Sequence, residues 1–224
     1  GLIVTGGENT FGLGGYEDTP LEEMLPVQCS MKGNKKHPNT GMVLAIDCSG
    51  SMDDQSGGVR KMEMAKSAAR AAMEVLDEND LIGVLGFSDI FEWVAPLQQL
   101  TDRSLLEEQI NLLEPKGGTL IQPALVKAYE ALRDADAKVR HVILLTDGQG
   151  EKEGYENIIN TMKDSQISLS SVALGADSDV ELLEKLGEDG GGRSYVADDF
   201  SQLPSIFARE TYMATKRYLN NREF

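Results

Sequence analysis

Asp47, Ser49 and Ser51 stand at alternate positions in the run Asp47-Cys48-Ser49-Gly50-Ser51-Met52. One carboxylate and two hydroxyls, with Gly50 letting the chain bend between them, make a set of hard oxygen donors. Such donors suit Mg²⁺, which takes an octahedral shell of oxygens at roughly 2.0–2.1 Å and keeps some of its waters. Mn²⁺ or Ca²⁺ could take its place, because the argument rests on ligand type alone. With a single charged donor in the set, a bound divalent ion keeps an excess of positive charge, and that favours an incoming carboxylate. Read alone, the run also describes an Asp that caps a helix ahead of a serine-rich turn.

Two other short segments carry oxygen donors beside glycines. In Lys116-Gly117-Gly118-Thr119-Leu120, a Gly-Gly turn brings Thr119 close against whatever it faces; Thr119 as a helix N-cap is the simpler alternative. In Thr146-Asp147-Gly148, Asp147 directly follows an apolar run; in isolation Asp-Gly is a turn signal. Asp53 and Asp54, after the first run, read either as an auxiliary cation site or as a solvated acidic loop.

The elements around these loops explain why they should meet. Met42 to Ile46, Leu81 to Phe87 and Val142 to Leu145 are continuous apolar runs, expected of strands buried on both faces. Residues 59 to 76 carry Met62, Ala65, Ala69, Ala72, Met73 and Leu76 on one helical face, and 121 to 133 do the same with Ile121, Ala124, Leu125, Ala128 and Leu132. Phe91 to Val94 reads as a strand paired in a hairpin across Ser88-Asp89, with Trp93 packing on it. Helices over 103–113, 154–164, 179–187 and 201–219 and strands over 167–174 and 194–197 complete the pattern, with Gly190-Gly191-Gly192 as a turn before the last strand. Apolar strands alternating with amphipathic helices predict a doubly wound α/β domain, with a mostly parallel central sheet and helices on both faces. Ligands in such domains sit beyond the carboxyl ends of the strands, which directs attention to the loops after Ile46, Phe87 and Leu145.

The order Asp-x-Ser-x-Ser, then Thr, then Asp resembles the metal-ion-dependent adhesion site of the von Willebrand factor type A family, over roughly residues 39 to 219. The resemblance implies a Rossmann-like fold. It implies Asp47, Ser49, Ser51 and Thr119 as metal ligands, with Asp147 binding directly or through water, and Mg²⁺ as the ion. It further implies a non-catalytic adhesion or assembly module whose partner protein offers an Asp or Glu carboxylate. The stretch from Gly6 to Tyr16, followed by Thr19-Pro20-Leu21-Glu22-Glu23, resembles part of a glutamine-amidotransferase-like domain. In some bacterial membrane-anchored proteins a type A domain interrupts such a domain. Residues 1–38, which end in a polar linker, differ from the regular alternation that begins at Gly41; with this resemblance, we divide the chain into a flanking segment with linker, 1–38, and a type A domain, 39–224, within a membrane-anchored bacterial protein. The chain starts at Gly1 rather than Met, as a piece of something longer would.

Composition narrows the remaining classes. With 21 Lys and Arg against 37 Asp and Glu, the formal charge is −16, which disfavours nucleic acid and anionic lipid as partners. No run of about 18 apolar residues is present to enter a membrane. The two cysteines, Cys29 and Cys48, read as free thiols. Enzyme readings lack a base: a serine triad needs a histidine in reach, and the two histidines are His37, in a polar linker, and His141, which opens a buried strand at the end away from the metal loops. Haloacid-dehalogenase chemistry needs an Asp where Ser49 stands, and Cys29 with His37 has no context for an amidotransferase pair. The competing readings are a structural domain whose metal only stabilises loops, and a part of a larger amidotransferase-like enzyme.

Overall fold

The computed structural model describes residues 24, 39–56, 58–148, 150, 154–175 and 178–220. The chain divides into two compact units, Gly1–His37 and Pro38–Phe224, and the second holds the sheet and the oxygen-bearing loops. The amidotransferase-like stretch and Cys29 lie outside the described residues.

Eight strands and six helices are described in the second unit: β1 (Thr40–Asp47), β2 (Gln55–Ser56), β3 (Val59–Arg60), α1 (Lys61–Val75), β4 (Leu81–Phe87), β5 (Phe91–Gln99), α2 (Arg103–Ile110), α3 (Ile121–Arg133), β6 (Val139–Thr146), α4 (Tyr155–Asp164), β7 (Ile167–Leu174), α5 (Val180–Asp189), β8 (Gly191–Ala197) and α6 (Leu203–Asn220). The main sheet has the order β5-β4-β1-β6-β7-β8. All of its neighbours pair in parallel except β4 and β5, which form the antiparallel hairpin at one edge. Pro96, which has no N–H to give a ladder, is tolerated on β5 because β5 is an edge strand.

β1 is buried along its whole length. Its side chains alternate between two cores. Met42, Leu44 and Ile46 meet α1, α2 and α6 on one face, while Val43 and Ala45 meet α3, α4 and α5 on the other. A strand covered on both faces must be apolar at successive positions, and this accounts for the unbroken run from Met42 to Ile46. On α1 the alanines Ala65, Ala68, Ala69 and Ala72 are fully buried and let α6 come close with Phe207 and Leu203.

The elements expected from the sequence are present, with shifted ends. The helix over 103–113 stops at Ile110 and the strand beginning at Phe91 runs on to Gln99. The triple glycine is not simply a turn. Gly191 and Gly192 open β8, with Gly191 in register with Leu169 of β7, so the last strand begins three residues earlier than hydropathy suggests. Glycines carry no apolar signal, so a pattern of side chains does not register this backbone pairing.

A buried polar cluster ties α6 to the sheet. Glu210 is fully buried. Its Oε1 accepts from Ser170 Oγ at 2.8 Å and its Oε2 from Tyr195 OH at 2.5 Å, and Arg193 reaches both oxygens at 3.2 and 3.3 Å. His141 Nε2 lies 3.2 Å from Oε1, and its Nδ1 is 2.7 Å from Ser168 Oγ. Burial pushes the Glu210 carboxyl up, but His141, Tyr195 and Ser170 together outweigh it and hold the group at about 2 against an ordinary 4.5. A carboxyl lowered by folding stabilises the fold above its unfolded value, and that stabilisation disappears as pH falls from about 4.5 toward about 2. Removing one member of a buried charged cluster costs about 3 kcal/mol or more. E210Q is therefore expected to lose stability of that order at neutral pH in urea unfolding, and to flatten the acid limb of the pH–stability curve. Wild-type stability at neutral pH in E210Q would contradict this.

Candidate metal centre

Parallel pairing brings three chain segments to one edge of the sheet. Asp47 is level with Phe87 on one side, and Ile46 is level with Leu145 on the other, so the loops leaving β1, β4 and β6 start side by side. Backbone bonds then fasten the loops to one another. Cys48 N donates to Phe87 O at 2.7 Å, Lys116 N to Cys48 O at 2.5 Å, Gly50 N to Gly117 O at 3.0 Å, and Leu120 N to Ser88 O at 2.9 Å.

Asp47 has no solvent exposure. Its Oδ1 accepts from Ser49 N at 2.7 Å and its Oδ2 from Thr146 Oγ1 at 2.5 Å. Burial raises its carboxyl above the ordinary range, against the bonds from Thr146 and Ser49, and the nearby Asp147 adds to the rise. Asp47 does not cap a helix: the 3₁₀ turn Gly50–Asp53 starts after Ser49 and has no side-chain cap. Ser49 Oγ and Ser51 Oγ are 3.0 Å apart. Both meet Asp147 Oδ1, Ser51 at 2.7 Å and Ser49 at 3.4 Å. Asp147 Oδ2 accepts from Lys61 Nζ at 2.6 Å.

Thr119 sits beside this group. A Cβ added to Gly148 would fall 2.8 Å from Thr119 Oγ1, so Gly148 is what lets the Thr119 loop lie against the Asp147 loop. Thr119 is not the cap of α3; that position belongs to Leu120, which has no side-chain cap bond. The Gly-Gly pair before it has its own cause. The Asp89 carboxylate fills the space where Cβ atoms on Gly117 and Gly118 would be, each 2.5 Å from a carboxylate oxygen, and Gly117 is in the left-handed region at φ +75°.

The donor chemistry fits a hard divalent ion. Oxygens at adjacent corners of a Mg²⁺ octahedron are about 2.9 Å apart, and the separations among Ser49, Ser51 and Asp147 run from 2.7 to 3.4 Å. Among the described residues no cluster of three or more His, Cys, Asp or Glu side chains could hold a metal, so this set works through hydroxyls or not at all. Asp53 and Asp54 point to bases rather than to an ion: Asp53 lies 3.3 Å from Arg60 and Asp54 3.7 Å from Lys61. Cys48 is a free, buried thiol behind Asp47, and burial pushes it up to about 12, with the Asp47 charge adding to the rise, so it stays protonated and inert.

Residues 42–209 match the family model of the von Willebrand factor type A domain. The chain belongs to the von Willebrand factor type A family. Domains of this type generally hold a divalent metal at a metal-ion-dependent adhesion site and mediate contacts between proteins. The type A domain here is similar to calcium-activated chloride channel regulator 1 of Bos taurus, at 27% identity over 195 residues, 85% of this chain and 21% of that protein. It is similar in structure to a von Willebrand factor type A protein from Catenulispora acidiphila, with TM-score 0.70 and 26% identity over 80% of this chain and 43% of that one. It shares its fold with proximal thread matrix protein 1 of the mussel byssus, solved with zinc in that motif, at TM-score 0.70 and 16% identity over 80% of this chain and 46% of that one. The chain thus spans about a fifth of the bovine relative and under half of the two solved chains.

Three residues of the site escaped the sequence pattern: Thr146, Lys61 and Asp89. Thr146 was legible in principle, since it is the last residue of an apolar strand and directly precedes Asp47's counterpart, Asp147. Because folding raises the Asp47 carboxyl, protons would compete with any cation bound there. The raised group costs stability above its unfolded value, and that cost is relieved either by protonation or by a cation. Apparent divalent affinity is expected to fall as pH is lowered into the range where the Asp47 carboxyl takes up its proton, with protons released on binding there. Calorimetry in two buffers of different ionisation enthalpy measures the released protons; pH-independent affinity over that range would contradict the assignment.

Proposed function

We propose that this chain is a non-catalytic, metal-dependent protein-binding domain, in which a divalent cation, Mg²⁺ foremost, is held by Asp47, Ser49 and Ser51. Thr119 and Asp147 complete the set, Asp147 through its Oδ1 or a water. The observation that carries the reading is the convergence of Ser49, Ser51 and Asp147 from two separate loops on one small group of oxygens. Two hydroxyls and a second carboxylate gathered beside a buried carboxylate are the kind of hard oxygen donors that a divalent ion takes.

A partner Asp or Glu would supply a further oxygen of the shell. The surface beside the centre supports a protein partner: Leu120, next to Thr119, and Ile90, in the loop bonded to it, are exposed apolar side chains at 39% and 61%. The non-catalytic reading is supported by His141, which is engaged with Ser168 and Glu210 six residues before Asp147 on the strand that leads to it. Among the described residues no helix is long and apolar enough to cross a membrane. The resemblance of the first residues supports a membrane-anchored parent protein, and the two compact units, Gly1–His37 and Pro38–Phe224, support the division of the chain near residue 38.

Calorimetry with Mg²⁺ on the intact chain and on D47A tests the assignment. D47A removes a buried charge and is expected to fold, with unchanged circular dichroism, while the binding heat disappears. Equal heats in the two chains would remove the site. A second arm separates recognition from support of the loops: capture of an Asp- or Glu-bearing peptide should fail in EDTA. If EDTA lowers the melting temperature but no carboxylate peptide binds in Mg²⁺, the metal is structural only.

A further inference from the structure

The charge balance of the centre involves a residue from outside the motif. Lys61 opens α1, and its backbone N–H donates to Asp54 O at 2.9 Å, which fixes where the side chain begins. From there Nζ reaches Asp147 Oδ2 at 2.6 Å. The Lys61 side chain is 15% exposed and that of Asp147 not at all, so the pair is largely shielded from water. Phe200 closes over the ammonium, with its ring centroid 5.8 Å from Nζ. Asp54 stands 3.7 Å from the same nitrogen but is 70% exposed, so solvent screens it.

We propose that Lys61 is a positioning residue that acts as a tethered counter-cation of the metal centre. It occupies Oδ2 of Asp147, leaves only Oδ1 facing the serines, and offsets the second negative charge of the site. The proposal rests on the reading of this centre as a divalent-cation site. The carboxylates of Asp47 and Asp147 carry two negative charges between them, and Lys61 returns one. A divalent ion bound in its presence leaves the centre with one net positive charge; without Lys61 the same ion would be neutralised. Lys61 therefore weakens the hold on the ion, and it keeps the loaded centre positive toward an anionic partner. A lysine at that position works against metal affinity, which is what distinguishes it from a residue that only packs.

The test compares wild type, K61M and K61R by titration calorimetry with MgCl₂ alone, and by thermal unfolding in EDTA and in saturating Mg²⁺. K61M is expected to bind Mg²⁺ about tenfold more tightly, since one like charge beside the ion is gone. It should melt lower than wild type in EDTA, where Asp147 has lost its counter-charge, and gain more from Mg²⁺ than wild type does. K61R keeps the charge and should resemble wild type in both readouts. A K61M chain that folds only when Mg²⁺ is present is the same result in extreme form. Equal or weaker Mg²⁺ binding by K61M, an equal drop in melting temperature with and without the metal, or a chain unfolded even in saturating Mg²⁺ would overturn the role of Lys61 while leaving the site itself in place. Absence of Mg²⁺ binding in all three chains would overturn the site, and the role of Lys61 with it.

Discussion

The centre depends on β1 and β6 being adjacent parallel strands that end together. Parallel pairing with Ile46 level with Leu145 sets Asp47 against Thr146 and starts the Asp147 loop where the serine loop begins. A shift of one residue in that register would turn Asp47 to the other face of the sheet and into a different core. The register is held because β1 is buried on both faces, so that every side chain from Met42 to Ile46 has a fixed place in one of two cores. The apolar run and the oxygen cluster are thus one device: the first fixes the position of the second.

Each loop is then locked by a specific small residue or polar bond, and the locks differ in kind. Gly148 makes room for Thr119, and Gly117 and Gly118 make room for the Asp89 carboxylate. Gly50 N–H closes onto Gly117 O, joining the serine loop to the Gly-Gly loop. At the far side of the same sheet the polar chemistry is used for another purpose. Glu210 is satisfied from four directions by the sheet, and its helix is anchored by them without any ligand. Buried carboxylates at the two places contrast accordingly: folding lowers the carboxyl of Glu210 and raises that of Asp47. Glu210 has the bases Arg193 and His141 beside it, whereas Asp47 is held by the neutral donors Ser49 N–H and Thr146 Oγ1.

Much of this was legible in the residues. Strands buried on both faces announce themselves as apolar runs, and the amphipathic spacing of Ile121 to Leu132 placed α3 to the residue. The five candidate ligands are named by the resemblance of their order to the family's motif; the ends of β1 and β6 lie side by side, whereas Thr119 comes from the segment before α3 and from no strand end. What could not be read depended on contacts distant in sequence. Lys61 looks like one more charge at a helix start, and only its 2.6 Å approach to Asp147, 86 residues away, gives it a role. Asp89 looks like a hairpin turn residue, and its packing against two glycines 28 and 29 positions on has no local signal. Gly191 and Gly192 pair as strand through backbone alone, which hydropathy cannot see.

The central claim is that an ion sits where Ser49, Ser51 and Asp147 converge, in front of Asp47. Anomalous diffraction from crystals of this chain soaked in Mn²⁺ addresses it directly, because the metal reports its own position. The account predicts one strong peak bounded by Ser49 Oγ and Ser51 Oγ at about 2.2 Å, close to Mg²⁺-like distances, with Thr119 and Asp147 in its first or water-mediated shell. A peak elsewhere, or none at this edge of the sheet at saturating Mn²⁺, would contradict it.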